Sequence, residues 1–149
     1  KPGGQKGRNG CGTRRGGVMK NESHESGAWG EKLAARFMRK QGYKVLGTGV
    51  RLSPRDELDV IARKRDLLVF VEVKTRKSED YGRPVDAVNR AKRRTISRAA
   101  VHYLREVGYP KVNFRFDVIE VVGAPGDQDP VLRHIENAFT LDPRFILPY

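Results

Sequence analysis

Residues 57–74, ELDVIARKRDLLVFVEVK, hold two strand-like runs and an abrupt change of chemistry at the end of the second. Glu57 to Arg63 and Leu67 to Lys74 flank a very short polar link. That spacing predicts an antiparallel hairpin, although Lys64-Arg65 lacks the usual Asn-Gly chemistry. In the second run Leu67, Val69, Val71 and Val73 share one face, while Leu68, Phe70, Glu72 and Lys74 share the other. A strand apolar on both sides is central and covered, so two opposite charges at its end sit near low-dielectric surroundings and need partners.

Closing the hairpin at Lys64-Arg65 predicts Arg63 opposite Asp66, Asp59 opposite Phe70 and Glu57 opposite Glu72. Asp59 would then lie diagonal to Glu72, at roughly 7–8 Å between backbone positions, a gap that two side chains close on one ion. A divalent cation is the simplest agent that reverses repulsion among such carboxylates. An all-oxygen donor set favours Mg²⁺ or Mn²⁺ over zinc, and phosphodiester hydrolysis is the natural use of that ion. Lys74 reaches the same phosphate because it follows Glu72 by two residues on one face. The plain alternative is a same-face ion pair, worth about 0–1 kcal/mol if exposed. For Glu57 the alternative is a solvated carboxylate near a turn.

Working outward, Trp29, Leu33 and Phe37 recur at helical spacing, with Ala34 and Met38 widening the stripe. The pattern predicts a helix from an N-cap at Ser26 to a stop at Gly42. Tyr43 to Arg51 reads as a strand and Ser53-Pro54-Arg55-Asp56 as a turn. Pro84 suits the first residue of a second helix running to about Val107, with Gly108 ending it. Phe114 to Val122 reads as a strand and Val131 to Glu136 as a short last one. The expected fold class is α/β, a mixed β-sheet flanked by helices in the order αβββαβ(β).

The chain has 149 residues, enough for one ordinary domain. Residues 1–22 are expected to be a disordered basic tail, because positions 1–20 hold six Lys or Arg, seven Gly and no acid. Residues 23–137 form the expected domain and 138–149 an apolar C-terminal extension. Packing back on the domain and contact with a partner are both open to that extension. Thirty Lys and Arg against eighteen Asp and Glu give a formal charge of +12. Without the first twenty residues the balance is 24 basic to 18 acidic, so the domain itself keeps +6. Such an excess favours a polyanion such as DNA through counterion release. Arg90, Lys92, Arg93, Arg94 and Arg98 on the second helix, with Arg76, Lys77 and Arg83 after the charged strand, are candidates to track its phosphates; a solvated helix surface is the alternative. Trp29, Phe37 and Phe70 have core spacing and are assigned to packing. The longest purely apolar run, Leu67 to Val71, is five residues, so no membrane span is expected. The single cysteine, Cys11, excludes a disulfide framework, and a reducing cytoplasm is the expected compartment.

Asp59, then Glu72-Val73-Lys74, resembles the Asp…(Asp/Glu)-x-Lys signature of restriction-endonuclease-like nucleases, archaeal-type Holliday-junction resolvases among them. More closely, Gly30-Glu31, Gly42-Tyr43, residues 57–62, residues 70–76, Lys92 and Phe114-Arg115-Phe116-Asp117 resemble the YraN family of predicted bacterial endonucleases, over about residues 27 to 122. The resemblance implies a restriction-endonuclease-like fold and a metal-dependent DNA endonuclease, with branched DNA as one candidate substrate. Asp59 and Glu72 would hold the metal with the Val73 carbonyl, Lys74 would assist attack, and Glu31 would join from the first helix. A resolvase-like activity needs two sites and so implies a homodimer. Asp56 stands where the family commonly has Gly, and Leu58 replaces the proline of the broader signature. The alternative from another class is a nucleic-acid-binding or complex-assembly module that keeps the fold without turnover.

Overall fold

A computed structural model describes residues 15–78 and 88–149, with the backbone alone for 15–24. Residues 1–14, Cys11 among them, and Arg83 and Pro84 lie outside the described residues. Helix α1 spans Arg15–Lys40, and strands β1 (Lys44–Ser53), β2 (Asp56–Lys64) and β3 (Leu67–Arg76) follow. Helix α2 (Arg90–Glu106) leads to β4 (Asn113–Val122) and β5 (Val131–Phe139). These five strands form one mixed sheet in the order β1-β2-β3-β4-β5. Strands β3 and β4 run parallel, and the other neighbours run antiparallel. The architecture is the expected α/β one, compatible with a restriction-endonuclease-like arrangement, and the last strand is real.

Three boundaries differ from expectation by three or more residues. Helix α1 continues back to Arg15, so Ser26 is interior and not an N-cap. Its far end is as read: Gly42, at φ 91°, donates to the Arg39 carbonyl and Tyr43 to that of Met38. This left-handed exit closes the last turn, and glycine adopts it without penalty. Helix α2 begins at Arg90 instead of Pro84, because extended Asn89 caps it by accepting from the Lys92 amide at 2.9 Å. Strand β5 runs past Glu136 to Phe139, whose ring stacks on Phe116 at 4.8 Å.

The sheet separates two cores. On one face α2 lays Ile96, Ala99, Ala100 and Leu104 against Phe70, Phe116 and Phe139. Leu141 and Leu147 of the C-terminal segment pack on this face, and the Asp142 amide donates to Ser97 Oγ at 3.0 Å. On the other face α1 lays Ala34 and Met38 against Val60, Ala62, Val69, Val71, Ile119 and Val121. Trp29 and Phe37 join this second core, as their spacing implies. Among the described residues no helix is long and apolar enough to cross a membrane.

Where α1 crosses β3 the backbones come close at Gly30. A Cβ there would collide with Thr75 Oγ1 and press on Val73 Cγ1. Gly30→Val is therefore expected to destabilise the fold by about 1–3 kcal/mol, the usual cost of overpacking. Thermal unfolding measures this; an unchanged midpoint would show that the helix lifts away freely.

Candidate functional site

The site begins with a fault in β2. Residues two apart in a regular strand share a face, yet Leu58 packs in the α2-side core and Val60 in the α1-side core. The strand thus rotates about its axis between them, and Asp59 stands at the point of rotation. The ladder between β2 and β3 also ends there, at Val60↔Val71. Beyond it, the Val73 N–H donates to Asp59 Oδ2 at 2.8 Å. A carboxylate has replaced a strand as the partner of that amide.

The hairpin register corrects the expected one by two residues. Lys64 faces Leu67 and Arg63 faces Leu68, so the turn is Arg65-Asp66. Arg65 takes the left-handed conformation at φ 57°, and its carbonyl accepts from Arg63 Nε at 2.7 Å. Val60↔Val71 places Asp59 level with Glu72 rather than diagonal to it. A two-residue shift preserves the face of every side chain, whereas a one-residue shift inverts it. Asp59 lies where β2 rotates, and its closeness to Glu72 shows in the repulsion that raises its pKa.

Glu72 is only 6% exposed and is neutralised by two ammonium groups, Lys74 Nζ at 3.2 Å and Lys92 Nζ at 3.5 Å. Among the described residues no cation pairs with Asp59 in this way. Burial and then repulsion from Glu72 push its pKa up to about 8, Glu31 adds to the rise, and the Val73 amide opposes it in part. Glu31 reaches the same region from α1, its pKa raised by burial and by the charges of Glu57 and Glu72. Its Oε2 lies 3.3 Å from where a Cβ at Gly49 would stand. Gly49, at φ 53°, leaves that space open. Glu57 is paired with Arg51 at 3.1 Å and 45% exposed, yet lies near enough to Glu31 to raise its pKa.

The donor chemistry suits a hard divalent cation. Burial alone costs Asp59 its charge, and nearby carboxylates compound the cost, so a cation between them reverses both effects. Among the described residues no three His, Cys, Asp or Glu side chains form a ready metal cage. Mg²⁺ needs none, since one or two carboxylates with water and substrate oxygens complete its shell.

The basic residues divide by what they touch. Arg98 donates to Asp56 Oδ1 at 2.6 Å and to the Arg55 carbonyl, and His102 Nδ1 lies 3.0 Å from Asp56 Oδ2. Burial would raise the Asp56 pKa, but the bonds from His102 and Arg98 outweigh it and hold it low. Asp at this position thus latches the β1–β2 turn to α2. Arg93 lies over the Phe139 ring and donates to the Val88 carbonyl. Arg90 and Lys77 are exposed, and Arg94 and Arg76 are half-buried. Asp117 is fully buried on the α1 side, held by Arg115, by His134 Nε2 at 2.7 Å and by the Asn137 amide at 2.9 Å.

Sequence reasoning missed Lys92 as a direct partner of Glu72, having grouped it with the phosphate-tracking cations. Its position at the third residue of α2 was hidden by the misplaced helix start. The role of Gly49 could have been sought in the residues themselves, because Gly47-Thr48-Gly49 interrupts a strand.

Residues 30–121, more than half of the chain, match the model of "Uncharacterised protein family UPF0102". A UPF0102 protein of Syntrophotalea carbinolica is 46% identical over 116 residues, which cover 78% of this chain and 92% of the relative. One from Clostridium acetobutylicum is 40% identical over 123 residues, covering 83% of this chain and 100% of the relative. One from Rhodococcus jostii is 42% identical over 113 residues, covering 76% and 94%. The match contains Glu31, Asp59, Glu72, Lys74 and Lys92, and the chain belongs to the UPF0102 family, also called YraN.

Proposed function

We propose that the chain is a divalent-metal-dependent DNA endonuclease hydrolysing phosphodiester bonds, with Asp59 and Glu72 as the carboxylates that hold Mg²⁺ or Mn²⁺. One observation carries the reading: a half-buried carboxylate, its pKa pushed up to about 8 by desolvation and by Glu72, stands beside that second carboxylate, which two lysines already neutralise. A fold that keeps such a group in place bears a standing cost, and perturbed carboxylates of this kind concentrate at reactive sites. When bound, the cation supplies charge stabilisation for the phosphate and makes water more acidic.

The chain's own residues do the rest. The Val73 amide fixes the Asp59 carboxylate in direction, and the Val73 carbonyl is a further candidate ligand. Lys74, still 27% exposed, keeps its ammonium beside Glu72, where it can offset negative charge developing on a phosphate. Lys92 holds Glu72 from the opposite element, and Glu31 adds a third acidic group able to orient water. The +6 balance of the chain beyond residue 20 favours a polyanionic substrate. Branched DNA remains the candidate from resemblance to resolvases, and it carries the expectation of a homodimer.

The test is incubation of labelled duplex, single-stranded and four-way-junction DNA with Mg²⁺ or Mn²⁺. Cleavage by the intact chain, reduced at least about 100-fold in Asp59→Ala and in Lys74→Ala, is expected. A second reading, a nucleic-acid-binding or assembly module without turnover, is favoured by one feature: Lys74 and Lys92 already satisfy Glu72 without any ion. Binding with no cleavage of any substrate would select it.

A further inference from the structure

A cleft of about 700 Å³ lies between the start of α2 and the chain around and beyond the end of β5. We propose that it is a phosphate-binding subsite. Arg90, Arg93 and Arg94 line one wall and Arg144 the other, against a single acid among the described residues, Asp142.

The placement of these arginines works against the helix that bears them. The first turn of α2 contains no acid, although the positive end of a helix dipole favours acids and disfavours cations. Arg90, Arg93 and Arg94 are spaced i, i+3 and i+4, so they crowd one face and repel one another. An anion in the cleft reverses both effects.

Among the described residues these charges find little compensation. Lys92 is held by Glu72 and Arg98 by Asp56. Among the described residues Arg93 finds an aromatic face and a neutral carbonyl. Arg94 Nε is buried with no hydrogen-bond partner among the described residues, and a buried donor without an acceptor calls for a ligand or an ordered water. The Asp142 carboxylate accepts from the Arg144 amide at 2.9 Å, while the Arg144 guanidinium keeps a looser 4.0 Å from it and stays 63% exposed.

A phosphate group fits this wall because guanidinium forks match its oxygens in pairs. A nucleobase fits it poorly: Phe139, the aromatic residue lining the cleft, already stacks on Phe116 and lies under Arg93. Two sources supply such a phosphate, the backbone of a nucleic-acid strand or a free phosphate. Lys92 reaches Glu72 from the same turns of α2 but from the opposite side of the helix, so a strand held in the cleft would pass around the start of α2 to meet the carboxylate site. Only this choice of a strand rests on the nuclease reading.

The experiment is done in EDTA, so that binding is read apart from cleavage. It compares the intact chain with Arg90→Gln, Arg94→Gln and Arg144→Gln, using a fluorescent duplex and, separately, inorganic phosphate. Each substitution is expected to weaken duplex binding about threefold to tenfold and to lower the log–log salt slope by about one. If duplex affinity is unchanged but phosphate raises the melting temperature of the intact chain and not of the variants, the subsite serves free phosphate. If neither probe distinguishes the variants from the intact chain, the proposal is overturned. Arg90 and Arg144 are exposed, so their variants carry the test even if Arg94→Gln disturbs folding. Dependence on these arginines without cleavage of any DNA would leave the subsite standing and remove the nuclease reading; cleavage with no such dependence would do the reverse.

Discussion

Asp59→Asn is expected to make the metal-free protein more stable while abolishing its response to metal. The folded-state pKa of Asp59 is about 8, against about 3.9 in an unfolded chain. The folded form therefore holds a proton that the unfolded form releases. Folding loses stability as pH rises from about 4 toward about 8, by as much as ~1.4 kcal/mol per pH unit. The substituted amide would carry no such dependence and would keep an oxygen for the Val73 N–H. The variant should match the parent near pH 4 and exceed it by on the order of 2–4 kcal/mol at pH 7. Mg²⁺ or Mn²⁺ should raise the melting temperature of the parent and leave that of the variant unchanged. A variant less stable by one margin at every pH would mean that the carboxylate is satisfied as it stands, and the strained-ligand argument would fail.

Asp117→Asn should act in the opposite direction and as strongly. Burial would raise the Asp117 pKa, but His134, Arg115 and the Asn137 amide together hold it below the ordinary carboxylate value. Its stabilising contribution is complete above about pH 4 and is lost as pH falls through the lowered folded value. Removing the charge leaves the Arg115 guanidinium with Tyr43 Oη at 2.8 Å and a looser pair with exposed Glu136 at 3.6 Å. Breaking a buried pair from one side costs about 3–5 kcal/mol. Denaturant titrations at neutral pH should show that loss, and the gap between parent and variant should narrow as pH falls below about 4. A loss under about 1 kcal/mol would mean that the network is replaceable by neutral hydrogen bonds.

The elements were legible because period and composition agree along β2, β3, β4 and both helices. Lys64-Arg65-Asp66 was not, because no residue there advertises the left-handed position, which falls to Arg65. The convergence of Asp59 and Glu72 was anticipated from strand parity, although Asp59 stands where that parity fails. What could not be read is the rotation of β2 between Leu58 and Val60. It is imposed by packing on both sides of the sheet, and strict alternation is the only rule that sequence supplies. Asp56, a departure from the family's glycine, was expected to leave the fold intact, and no partner for it could be read from its neighbours. It has instead become the anchor of Arg98 and His102, a pairing between residues 42 and 46 positions apart that no local pattern reveals.

The parallel pairing of β3 with β4 has a consequence for how the molecule comes into being. Parallel neighbours cannot be joined by a tight turn, so the chain must travel through α2 before Leu67 can meet Asn113. Contacts so distant along the chain close slowly, after local hairpins have formed. Asp59 and Glu72 lie on the early meander, whereas Lys92 rides on the crossover. During refolding the two carboxylates should therefore face one another before the second ammonium arrives, and any activity should return only with the slowest phase.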